Sequence, residues 1–181
     1  ADVADLNVVA VRYLPDDRVS QTLPDDAFLH DGQITKQTVR AVTLAALAPR
    51  PGQLLWDVGS GSGSIAVEWC RADTGCRAVA FETSPQRCER ITANSRAFGV
   101  EVDVRGEAPA DFDGAPPPDA IFIGGGLTQP GLVSACIDRL GPGGRLVANA
   151  VTAESEALLV EWHTRLGDEL RRFQHYRGEP L

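Results

Sequence analysis

The sequence of 181 residues has no methionine, a single lysine, and no apolar run long enough to cross a membrane. Even Ala41 to Ala48 is short and stops at Pro49, well below the roughly 20 apolar residues that a spanning helix needs. Basic residues are scarce as well: 17 Lys plus Arg stand against 25 Asp plus Glu, a net charge of −8. No segment concentrates the basic ones, which argues against a partner recognised through its phosphate backbone. The four cysteines, Cys70, Cys76, Cys88 and Cys136, form no C-x-x-C pair and have no histidine cluster beside them. A structural zinc site or a disulfide framework lacks its spacing, so no metal is expected. Buried free thiols and a reducing cytoplasm are the expectation.

What the sequence does hold is 43% apolar residues with 18 Gly and 12 Pro, a composition that suits a water-soluble globular domain. Residues 1–21 read differently from the rest. Asp2 to Arg12 is a short strand-like run, a polar stretch follows through Gln21, and the pattern of a secretory leader is lacking. These residues are expected to be a linker and the remnant of an upstream domain, with the main domain covering 22–181.

From Ile34 onward helical and strand-like signals alternate. Thr35 to Leu47 reads as a helix with Thr35 as N-cap and Val39, Val42 and Ala46 on its buried stripe, stopped by Pro49, Pro51 and Gly52. Strands are expected at Leu54–Val58, Ala78–Glu82, Val102–Arg105, Ala120–Gly124, Arg145–Ala150 and Glu169–Tyr176. Helices are expected at Ser64–Arg71, with Ile65, Ala66 and Trp69 buried, and at Pro85–Phe98, Gly131–Leu140 and Ala153–Leu166. Such alternation implies an α/β fold, a doubly wound and mostly parallel Rossmann-like sheet with helices on both faces.

The sharpest motif is Leu54-Leu55-Trp56-Asp57-Val58-Gly59-Ser60-Gly61-Ser62-Gly63-Ser64, an apolar strand followed by a glycine turn at the head of a helix. Glycines let a ligand approach the backbone closely, and an open helix N-terminus offers N–H donors to an anion. Asp57 sits where a dinucleotide-binding loop carries an apolar residue, and an acid there suits a ligand with an amino group. Glu82 ends the next strand, where a carboxylate can accept ribose hydroxyls. Gly106-Glu107-Ala108-Pro109 follows strand three, where a loop can border an adenine ring. No pattern nominates a catalytic acid or base: His30 is a lone loop histidine, expected at the surface, and His163 and His175 carry no motif.

This constellation resembles the class I S-adenosylmethionine-dependent methyltransferases. The resemblance implies that Gly59, Gly61 and Gly63 face the methionine portion of S-adenosylmethionine, Asp57 supports that pocket, Glu82 holds the ribose and Ala108 lies against the adenine. Two further motifs, Leu23-Pro24-Asp25-Asp26-Ala27-Phe28 leading to Gly32-Gln33-Ile34-Thr35-Lys36-Gln37, and Ile121-Phe122-Ile123-Gly124-Gly125-Gly126, narrow it. Together they look like the decarboxylating precorrin methyltransferases of cobalamin (vitamin B12) biosynthesis, over about Leu23 to Val151. By that resemblance the acceptor is carbon 15 of a reduced tetrapyrrole, carbon dioxide leaves from the ring C acetate, the protein is a homotetramer, and fused members carry an upstream carbon-5 methyltransferase domain whose closing strand Leu6 to Arg12 resembles.

Methyl transfer is an in-line displacement, and alignment alone can supply roughly 7–11 kcal/mol. An electron-rich bridging carbon needs no deprotonation. Consecutive N–H groups at Gly124, Gly125 and Gly126 would form an anion concavity for substrate carboxylates. Thr35 would lie over the cofactor, and Lys36, the only lysine, would meet a carboxylate. Two alternatives stand beside this reading: a methyltransferase of the isoaspartyl-protein or transfer-RNA adenine type, the latter disfavoured by charge, and an inactive adenosyl-binding scaffold.

Overall fold

A computed structural model describes residues 22–172. Five strands, β1 (Leu54–Val58), β2 (Arg77–Phe81), β3 (Val102–Arg105), β4 (Ala120–Ile123) and β5 (Arg145–Ala148), form one sheet in the order β3-β2-β1-β4-β5. Every pairing is parallel. Five helices connect or flank them: α1 (Gln37–Leu47), α2 (Ser64–Ala72), α3 (Pro85–Ala97), α4 (Leu132–Arg139) and α5 (Ala153–Leu166). The order reverses at β1, which pairs with β2 on one side and β4 on the other. In such sheets the crevice at the carboxyl ends of the strands flanking the reversal is where ligands bind.

β1 is buried along its whole length, as expected of a central strand covered on both faces. Its alternate residues feed two cores. Trp56 meets Phe81 and Phe112 at ring-centroid distances of 5.1 and 4.8 Å, and those two rings meet at 4.9 Å. Leu55 on the other face joins Ile65 and Trp69 of α2, Leu47 of α1 and Phe122 of β4. Asp57 shares that second face with Leu55, which aims it toward α2.

The start of α1 departs from the sequence reading. Lys36, not Thr35, occupies the N-cap, and neither side chain caps the helix. Asp25 does so from a distance, its Oδ1 accepting the Gln37 N–H at 2.9 Å. The buried stripe is also different: Arg40, Thr43 and Leu47 face inward, while Val42 and Ala46 are exposed and Val39 is half-buried. The cause is Arg40, whose side chain is fully buried. Its Nε donates to Glu68 Oε1 at 2.9 Å, its Nη1 to Asp25 Oδ1 at 2.7 Å and to the Thr35 carbonyl at 2.5 Å, and its Nη2 to the Leu23 carbonyl. A charge so completely partnered turns the polar side of α1 into the packed one.

The sixth strand is not formed in its described part, since Glu169 to Arg172 lie outside any strand; the remainder, like Leu6 to Arg12, falls outside the described residues. The four cysteines are free, Cys76 and Cys136 buried and Cys70 and Cys88 half-buried. Burial pushes the thiols of Cys70 and Cys136 up to about 12. Among the described residues no helix is long and apolar enough to cross a membrane, and no cluster of His, Cys, Asp and Glu could hold a metal ion.

Burial also pushes the Glu68 carboxyl upward, against the opposing charge of Arg40. Arg40→Met is therefore expected to leave an unpaired buried carboxylate and to cost about 3–5 kcal/mol in urea unfolding. The double variant with Glu68→Leu should regain a large part of that loss, and full additivity of the two losses would refute the pairing.

Candidate active site

The crevice lies at the carboxyl ends of β1, β2 and β4, a cavity of about 580 Å³ including its open mouth. Its floor comes from Val58, Gly59, Gly125 and Gly126, its walls from Phe81, Glu82, Thr83 and Arg87 on one side and Glu107 and Ala108 on another, and Gln129 and Leu132 close it. Of the residues singled out in the sequence, Gly59, Glu82, Ala108, Gly125 and Gly126 meet here. Asp57, Gly61, Gly63 and Gly124 stand behind or beside them, and Thr35 and Lys36 do not line it.

The floor is a contact between two backbones. A Cβ on Gly59 would lie 2.6 Å from both N and Cα of Gly125, a separation that no side chain tolerates. Gly59 also has a φ of +67°, so both space and conformation demand glycine there. At Gly63 the limit is milder, a Cβ meeting the Ile91 side chain at 3.0 Å.

The turn between them is held by two carboxylates. Glu82 is buried; its Oε2 accepts the Gly61 N–H at 2.9 Å and its Oε1 the Ser84 N–H at 3.0 Å. Each oxygen keeps a second lone pair. Asp57 is 1% exposed, and its Oδ2 accepts the Ser60 hydroxyl at 2.8 Å and the Ala66 N–H at 3.2 Å. Burial pushes this carboxyl up to about 6, the Ser60 and Ala66 hydrogen bonds pull it back, and the charge of Glu82 adds to the rise. Its other oxygen, Oδ1, is buried without a hydrogen-bond partner.

Two expectations about anions need correction. The N-terminus of α2 is not open at Ala66, because Asp57 takes that N–H. The concavity expected from three glycine N–H groups is not assembled either: those of Gly124 and Gly125 both point to the Val58 carbonyl, at 2.9 and 3.4 Å. Gly124 owes its small size to packing instead, a Cβ there falling 2.7 Å from the Phe122 ring. Lys36 Nζ lies 3.9 Å from Asp25 Oδ2, and the Thr35 carbonyl accepts from Arg40.

Arg87 and Gln129 line the crevice without having been singled out. A signal for Arg87 was present: it is a cation in the first two turns of α3, where the helix dipole is unfavourable to it, so that another contact must hold it.

The sequence matches the precorrin methyltransferase domain over residues 26–181. This chain belongs to that family. It is 66% identical over 180 residues to precorrin-6Y C(5,15)-methyltransferase [decarboxylating] of Mycobacterium tuberculosis (strain CDC 1551 / Oshkosh), a match covering 99% of this chain and 46% of that protein. This precorrin methyltransferase domain thus spans about half the length of that relative. It is 32% identical over 138 residues to cobalt-precorrin-6B C(15)-methyltransferase (decarboxylating) of Salmonella typhimurium, with 74% of this chain and 71% of that one covered. The crystal structure of the C-terminal domain of precorrin-6Y C5,15-methyltransferase from Rhodobacter capsulatus superposes with a TM-score of 0.84 at 48% identity, covering 90% of this chain and 89% of that one. The Rossmann-like sheet expected from the sequence is the fold of this family.

S-adenosylmethionine fits what the crevice of this precorrin methyltransferase domain offers. Gly59, Gly125 and Gly126 line the floor with backbone and no side chain, the spare lone pairs of Glu82 suit a pair of hydroxyls, and the unpartnered Oδ1 of Asp57 leaves local negative charge uncompensated for a cationic ligand.

The raised Asp57 carboxyl makes a stability prediction with a definite sign. The folded state takes up its proton near pH 6 and the unfolded chain only near the ordinary 3.8. Stability relative to Asp57→Asn should therefore rise as pH falls through 6, by up to about 3 kcal/mol below pH 3.8. Urea unfolding of both proteins from pH 7 to pH 4 tests this; a constant difference between them would remove the burial account.

Proposed function

We propose that residues 22–181 are the domain that methylates carbon 15 of a reduced precorrin, precorrin-6B, and releases carbon dioxide from its ring C acetate, in cobalamin biosynthesis. Residues 1–21 are then the linker and the end of an upstream domain that methylates carbon 5. The carrying observation is the crevice itself: a floor of naked backbone, one wall with a carboxylate whose oxygens retain accepting capacity, and a net negative lining.

Bound in the crevice, S-adenosylmethionine supplies a methyl group on a positively charged sulfur and departs as S-adenosylhomocysteine. Glu82 accepts the ribose hydroxyls and Ala108 covers the adenine. Gly59, Gly61 and Gly63 let the methionine end approach the turn, with Asp57 contributing negative charge behind it, and Thr35 covers the cofactor from the N-terminal segment. The substrate side falls to Lys36 and to Gly124, Gly125 and Gly126, whose lack of side chains admits a wide planar ring to the methyl donor. Lys36 is 63% exposed at its side chain and only loosely paired with Asp25, so it is free to answer a substrate carboxylate.

The chain's main contribution is alignment. Nucleophile and methyl carbon must lie in line, and a rigid floor fixes one of the two. The carboxylate that leaves as carbon dioxide is surrendered most readily where water is excluded, and its electron pair passes into the conjugated macrocycle rather than to a side chain. A net charge of −8 speaks against the transfer-RNA alternative. Assembly as a homotetramer in the cytoplasm belongs to the same reading, and light scattering tests the first part.

Incubation with S-adenosylmethionine and the reduced precorrin should add one methyl group and release one carbon dioxide per turnover, followed by mass spectrometry and gas evolution. Methylation without carbon dioxide would remove the decarboxylating half. Glu82→Ala should weaken S-adenosylhomocysteine binding by about ten- to a hundredfold in calorimetry, the loss of charge-assisted hydrogen bonds to two hydroxyls; an unchanged affinity would remove the ribose assignment.

A further inference from the structure

Segment 28–33 runs along α3 in the reverse direction and is pinned to it at successive turns. Phe28 packs on Phe98 just beyond the helix end, ring centroids 5.2 Å apart. Leu29 exchanges two hydrogen bonds with Asn94, at 2.8 and 3.0 Å, and the same amide donates to the Ser62 carbonyl of the glycine turn at 2.8 Å. Asp31 Oδ2 then accepts from Arg90 at 2.9 Å and from Arg87 Nε at 3.0 Å. Gln33 Oε1 accepts from Arg87 Nη2 at 2.6 Å. The Arg87 hydrogen bond, first among several, holds the Asp31 carboxyl down at about 2, so this side of the clamp stays charged across the working pH range.

The path therefore ends at the N-terminal turns of α3, beside Glu82, and Arg87 is both the last tether and a wall of the crevice. Two residues later the chain is caught again, where Arg40 holds the Thr35 carbonyl. Ile34 is thus suspended between two arginine clamps, Arg40 anchored in the protein interior at Thr35 and Arg87 facing the crevice at Gln33.

We propose that Arg87 is a positioning residue for methyl transfer: by binding Asp31 and Gln33 at once it fixes the register in which the entry segment passes the crevice on its way to Thr35 and Lys36, and a ligand in the crevice tightens that clamp. This rests on the adenosyl reading of the crevice. A lysine could not replace it, because one ammonium cannot hold the carboxylate and the amide oxygen in a fixed fork.

The experiment compares wild type, Arg87→Met, Arg87→Lys, Asp31→Asn and the double variant Arg87→Met/Asp31→Asn. S-adenosylhomocysteine affinity is measured by calorimetry and backbone amide exchange at residues 31–36 with and without it. Both methionine and lysine variants and Asp31→Asn should each weaken binding about tenfold. The double variant should bind no worse than either single one, since all break one clamp. Exchange at 31–36 should slow on binding in wild type and not in Arg87→Met. Should Arg87→Met fail to fold, Asp31→Asn, which leaves Arg87 in place, gives the same reading. Wild-type binding with Arg87→Met and Asp31→Asn undiminished overturns the clamp alone, as does a double-variant loss equal to the product of the single ones. Wild-type protein that binds no S-adenosylhomocysteine overturns the adenosyl reading and the clamp with it.

Discussion

The contact between the Gly59 and Gly125 backbones governs the geometry of the site. It brings the loops after β1 and β4 together with no side chain between them, a Cβ on Gly59 falling 2.6 Å from Gly125. Close approach of this kind cannot be had from packed side chains, because interiors are already filled to crystal density. Once the two loops touch, the N–H groups of Gly124 and Gly125 turn back to the Val58 carbonyl and are not presented to the crevice. Recognition then falls to what β2, the loop after β3 and the start of α3 can present. Those elements supply Glu82, Ala108 and Arg87.

The same constraint explains why the acid of the first strand matters without touching the crevice. A helix N-terminus that receives a phosphate must keep its N–H groups free. In this protein Asp57 has already filled that role at α2, with Ser60 as its second donor. A pyrophosphate would meet a carboxylate where it needs donors, which separates this turn from a dinucleotide site more firmly than the glycine spacing does. The cost falls on Asp57, whose proton affinity rises with burial, and a cationic ligand nearby would offset it. The anion-binding equipment of the fold has been turned inward, leaving a site that favours positive charge.

Strands and helices of the central unit were legible because their signals are local. β1, β3 and α5 fall where periodicity and turn residues place them, and β2, β4 and the remaining helices lie within one residue at each end, apart from a start to α1 two residues late and an end to β5 two residues early. Glu82 and Ala108 could be found from strand ends alone. What was not legible depends on partners distant in sequence. The buried face of α1 is inverted because Arg40 reaches Leu23, Asp25 and Glu68, and no helical period announces a buried guanidinium. The glycines after β4 looked like donors to a ligand; that their donors serve Val58 follows only from pairing β4 beside β1. Arg87 carried a weak local signal, and its meaning needed the segment that lies across it.

That segment ties the two halves of the site together. Residues 22–36 precede the first strand, yet they touch α1 through Arg40 and Asp25, α2 through Glu68, the glycine turn through Asn94 and α3 through Arg87. Each anchor is charged or doubly hydrogen-bonded, and each sits on an element whose position the sheet fixes. An entry segment held only by apolar contacts could slide along α3 at little expense, whereas one held by directional bonds has a single register. The register decides which residues reach the crevice mouth, so the motif that leads into α1 and the turn that follows β1 act as one unit. The glycine turn and the entry segment are joined through Asn94, which binds Leu29 on one side and the Ser62 carbonyl on the other.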